Sequence, residues 1–131
     1  MSLMVTTELK ELAREGDLSL DEFINCVRRS LPRAWQVIEG LAEALRDQPL
    51  LAHAIHAPRH MEDEQRGQLL RLMASSSMKA AIERHYGLRF EFQNCHNTAA
   101  FRPEAIGSKR HLRFISAEAQ ILAQSPELVD C

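Results

Sequence analysis

Residues 81–93 read AIERHYGLRFEFQ, and the fold class is decided inside this stretch. Up to Tyr86 the apolar residues Met78, Ala81, Ile82 and Tyr86 recur at helical spacing. Gly87 then supplies a stop, because glycine takes the left-handed conformation that ends helices at no steric cost. After it, Leu88, Phe90 and Phe92 alternate with Arg89, Glu91 and Gln93, the period of a half-buried strand. Upstream of Gly87 every patterned segment is helical. The reading is α+β: a mostly helical single domain over residues 1–131, with a small antiparallel strand pair near the C-terminus.

The strand at 88–93 needs a partner. HLRFIS at 111–116 offers a second, weaker alternation, so the expected pair is 88–93 with 111–115. Residues 94–110 then form a loop far longer than a hairpin connection, and such loops are usually functional or mobile. A two-stranded sheet is marginal by itself, so Phe90, Phe92 and Phe114 are expected to point at helices or at a partner sheet.

Upstream, DLSLDEFINCVRRSLP at 17–32 carries the firmest helix signal. Ser19 and Glu22 stand at capping-box spacing, and Leu20, Phe23, Ile24, Val27 and Leu31 form one apolar stripe. Pro32 suits the first turn of a following helix that runs to Asp47. A helix from Thr6 to Glu15 ends at Gly16, and QPLLAHAIHAP reads as a short helix bracketed by Pro49 and Pro58. Met61 to Tyr86 is helical in two pieces, divided at Ser75–Ser77, since serine hydroxyls cap one helix and compete with another. A last helix spans about 117–124. The expected core is Phe23, Ile24, Val27, Leu31, Trp35, Ile38, Leu41, Leu45, Leu69, Leu72 and Ile82.

Composition narrows the class. An apolar fraction of 45 % and a charged fraction of 26 % are ordinary for a globular chain. A net charge of −2 gives no reason to expect nucleic acid or an anionic membrane as partner. No apolar run is long enough to span a bilayer. The start, MSLMVTTELK, shows no secretory pattern, and Met1–Leu3 reads as a short leader ahead of a start at Met4. Three cysteines, Cys26, Cys95 and Cys131, without paired spacing are expected to be reduced thiols in the cytoplasm.

Three places hold side chains with chemistry. HAIHAPRH at 53–60 sets His53 and His56 three apart, a spacing that puts both on one face of a helix. With His60 and Glu62 or Asp63 arriving beyond the bend at Pro58, they form a candidate metal set for zinc, iron or copper. The plainer reading is a solvated helix end, with no cofactor. NCHN at 94–97 offers Cys95 and His96 as further ligands or as a nucleophile with its base, yet neighbours on a strand point to opposite faces. Its plainer reading is a polar turn. Arg102, Lys109, Arg110 and Arg113, with Phe101 and Phe114 among them, form a basic segment for contact with an acidic partner or phosphate. Its plainer reading is a charge-protected edge strand.

No nucleophile elbow, phosphate loop or dinucleotide fingerprint is present. The inventory points away from catalysis. The expectation is a small cytoplasmic accessory or regulatory protein that binds a protein partner or a second copy of itself, as a homodimer. Metal binding through the histidines is the alternative, and nucleic-acid or phosphate binding through 102–113 a further one.

Overall fold

Hydroxyl side chains set where the helices begin. Thr6, Ser19, Ser75, Ser108 and Ser116 each accept a hydrogen bond from the amide three residues on. Each such cap satisfies a donor that the helix leaves free and stabilises by about 1 kcal/mol. The computed structural model describes residues 3–124. In chain order the elements are α1 Thr7–Glu15, α2 Leu20–Ser30, α3 Pro32–Asp47, β1 His53–His56, α4 Asp63–Ala74 and α5 Ser76–Tyr86. Then follow β2 Arg89–Gln93, β3 Asn97–Phe101, a 3-10 turn Pro103–Ala105, α6 Lys109–Phe114 and α7 Ala117–Leu122. This is a mostly helical α+β domain, as the change of period at Gly87 implies. Gly16 and Gly87 close α1 and α5 in the left-handed conformation, at φ 76° and 66°. Among the described residues no helix is long and apolar enough to cross a membrane.

Pro32 starts α3 directly after Leu31 ends α2, so α3 has no side-chain cap from its own N-terminus. Gln68 on α4 replaces it: its Oε1 accepts from the amides of Arg33 (2.6 Å) and Ala34 (3.2 Å). That bond docks α4 on the start of α3 and leaves two helix-end donors satisfied. The expected core is buried with one exception: Phe23 is half-buried and packs against the cluster rather than inside it. Leu3, set aside above with the leader, also packs against that cluster.

Three expectations are corrected. Residues 53–56 are strand β1, not part of a helix. Residues 111–115 fall in and just after α6, not in a strand. Residues 94–110 are not a loop, because they contain β3 and the 3-10 turn. The partner of β2 is β3, reached by a tight turn: Asn94 and Cys95 both take positive φ (53° and 52°), and the His96 amide donates to Gln93 O at 3.3 Å. Consecutive left-handed residues give the turn whose twist matches two antiparallel strands. All five residues of β3 are buried, so Asn-Thr-Ala-Ala-Phe shows no alternation.

β3 lies in the middle of the sheet, in the order β1-β3-β2, antiparallel throughout, with His53 opposite Phe101 and Gln93 opposite Asn97. Ala54, Phe90, Phe92 and Ala100 face the large helical core. The opposite face is closed by Ala99, Phe101, Ala105 and Phe114. Among the described residues the sheet therefore has helices on both faces and two edge strands without a further strand partner, β1 and β2.

Candidate functional site

The β2 edge opens into a groove of about 600 Å³. One wall is the α4–α5 junction, with Met73 and Lys79; the floor is Glu91 and Phe92; the far wall is Phe114 to Ala117 and Gln120. Asn94 in the hairpin turn holds the far wall in place, since its Nδ2 donates to Gln120 O at 3.0 Å and its Oδ1 accepts from Gln124 Nε2 at 3.2 Å. Phe90 donates its amide outward, to Glu83 Oε2 at 2.9 Å. Amides of alternate residues on an antiparallel strand share a side, so the N–H and C=O of Phe92 also face the open edge.

Charge in the groove is balanced. Lys79 Nζ lies 3.8 Å from Glu83 and 3.6 Å from Glu91, and Arg89 lies 3.7 Å from Glu83. Glu91 continues to His111, whose Nε2 is 3.5 Å away. His111 Nδ1 accepts from the Gly107 amide at 3.0 Å, and its Nε2 is buried beside the Glu91 carboxylate without a hydrogen bond to it. The line Lys79–Glu91–His111 thus ties α5, β2 and α6 together at the groove floor.

The histidine set is placed differently from the helical reading. On a strand, residues three apart point to opposite faces. His53 stacks on Phe101 with centroids 5.7 Å apart, and its Nε2 accepts from Arg110 at 3.1 Å. Burial, and next the Arg110 charge, hold its pKa below the ordinary 6.5. His56 turns to the helical side, where burial lowers its pKa and its Nε2 is enclosed without a partner. His60 and Glu62 are exposed beyond the strand, and Asp63 opens α4. Among the described residues no three of His, Cys, Asp and Glu gather where they would hold a metal ion. His96 is buried in the hairpin turn, its Nδ1 against Asn94 O. Cys26 is a buried free thiol, and Cys95 is in a disulfide, unlike the reduced state expected for it.

The basic segment divides. Arg102 is structural: it donates to Leu45 O, to Gln48 O at 3.3 Å and to Leu51 O at 2.6 Å, at the end of α3. Lys109, Arg110 and Arg113 sit exposed on α6. Lys79, Glu91 and Gln120 were not singled out from the sequence as site residues, and Phe92 was read only as part of the strand's apolar face. Only the position of Glu91, opposite in phase to Phe90 and Phe92, hinted at a polar group beside an apolar strand.

A three-stranded antiparallel sheet between helices, with a groove along one edge strand, defines a small α+β module. The family model labelled KH_NucS_shadow, with the description NucS shadow ORF, matches residues 1–131, and the chain belongs to that family. The description refers to an open reading frame and gives no activity. No curated protein and no solved structure matches the chain.

Proposed function

We propose that the chain is a binding module whose groove beside β2 takes an extended segment of a protein partner. The observation that carries this is the outward N–H and C=O of Phe92 at a free sheet edge, beside an apolar wall of Met73, Phe114 and Ile115. An added strand hydrogen-bonds to such an edge, and pockets beside it select side chains. A second copy of the chain is one partner the edge would accept, giving a homodimer.

The second reading is single-stranded nucleic acid, favoured by the letters KH in the family label. KH modules clamp a nucleic-acid backbone with a GXXG loop. In this chain the α4–α5 junction reads Ala74-Ser75-Ser76-Ser77-Met78, without glycine. The groove cation Lys79 already lies between two carboxylates. Both features speak for polypeptide over phosphate.

The reading requires that the frame is translated, so peptides of this chain must appear in mass spectra of cells that carry it; their absence would end it. With purified chain, peptides selected from a random displayed library should bind, and Ala117→Trp at the groove wall should weaken them at least tenfold with an unchanged circular dichroism spectrum. Binding of single-stranded oligonucleotides that falls steeply with salt and is lost in the same variant would replace the peptide reading. Peptides that ignore Ala117→Trp would refute the groove. Sedimentation equilibrium decides whether the partner is a second copy.

A further inference from the structure

A second cavity, about 290 Å³, lies on the sheet face away from the large core, at the β1 end. Ile55, Phe114, Ala119 and Leu122 give it an apolar wall, and Arg110 and Arg113 stand at it from α6. Its other polar wall residue is Gln93, already engaged at both ends of its amide. Gln93 Nε2 donates to Phe114 O at 2.8 Å, and its Oε1 accepts from Asn97 at 3.2 Å. The polar groups left for an occupant are the two guanidinium groups.

Neither arginine has a carboxylate within ion-pair distance among the described residues, whereas Arg33, Arg46, Arg66 and Arg89 each have one. Arg110 is also held in place, its Nη1 donating to His53 Nε2 at 3.1 Å while the imidazole stacks on Phe101. Two guanidinium groups at an apolar cavity, one of them held by His53 and neither with a carboxylate partner among the described residues, suit an anionic head on an apolar body.

We infer that this cavity binds a small amphiphilic anion, its carboxylate or phosphate head on Arg110 and Arg113 and its apolar body against Ile55, Phe114 and Leu122. The cavity shares Phe114 with the β2 groove and is otherwise lined by different residues.

Titration calorimetry with octanoate, octyl phosphate and octan-1-ol tests it. Saturable one-to-one binding of at least one anion is expected, with the alcohol at least tenfold weaker. Arg110→Gln and Arg113→Gln should each weaken that anion at least tenfold, while Arg14→Gln on α1 should not. Whichever anion binds more tightly identifies the head group. Amide chemical shifts of the unaltered chain should move at Ile55, Phe114 and Leu122, a readout that does not depend on the variants folding. No saturable binding of either anion, equal binding of the alcohol, unchanged affinity in both arginine variants, or shifts elsewhere would each overturn the proposal.

Discussion

Replacing Arg102 with alanine should destabilise the chain by about 3 kcal/mol, although the residue sits in a surface-like basic segment. The last carbonyls of α3 have no partner within the helix, and Arg102 takes Leu45 O and Gln48 O and reaches on to Leu51 O at 2.6 Å. The bond to Leu45 O is partly buried, and a hydrogen bond from a charged donor there stabilises by about 1.5–3 kcal/mol. The two exposed bonds add less, about 0.5 kcal/mol each, because water replaces them readily. A cation at a helix C-terminus contributes about 0.3–1 kcal/mol more. Urea unfolding followed by circular dichroism should show the midpoint falling by about 1–2 M, for a slope of about 2 kcal/mol per M. Arg102→Lys keeps the charge but not the fork, and should fall between the two. Arg113→Ala, with no such bonds, should stay within about 0.5 kcal/mol of the parent. If Arg102→Ala unfolds at the parent's midpoint, or no earlier than Arg113→Ala, the structural role assigned to Arg102 is wrong.

Two glycines should respond with opposite signs. Gly87 holds φ at +66° in the C-cap of α5, so Gly87→Ala should cost about 1–2 kcal/mol, whereas Gly40 lies inside α3 with open space around it, and Gly40→Ala should stabilise by about 0.5–1 kcal/mol. Thermal melts of both variants check this, and a stabilised Gly87→Ala would contradict the left-handed cap. Burial lowers the pKa of His56 below its ordinary 6.5, so the unfolded chain takes up that proton first as pH falls. The contribution is fully present above the ordinary value and is lost as pH falls below it. The stability lost between about pH 7.5 and about pH 5.5 should therefore be smaller in His56→Asn than in the parent, and equal losses would argue against a buried neutral imidazole.

Most of the helical framework was legible locally. Ser19 and Glu22, Pro32 after Leu31, the serines before α5 and the glycines after α1 and α5 announce their elements through capping chemistry that involves only near neighbours. The period change at Gly87 placed β2 for the same reason. The stripes on α2, α3, α4 and α5 named most of the larger core but not Ala34, Val37 or Ala100, since an amphipathic helix shows the centre of its buried face in its spacing.

The sheet itself was decided by tertiary structure. His53–His56 carries alanine and histidine in a segment without strong strand preference, and it becomes a strand because β3 offers it a register with Phe101 opposite His53. β3 is buried on both faces, so no alternation reveals it. HLRFI alternates like a strand but is held as helix by the Ser108 cap and by His111 and Phe114 docking on Phe101. The groove and the arginine cavity inherit that dependence, because their walls come from segments far apart in the chain. Capping and periodicity act over a few residues and can be read there. Strand pairing, and every site built on it, follows from long-range contacts that no local window contains.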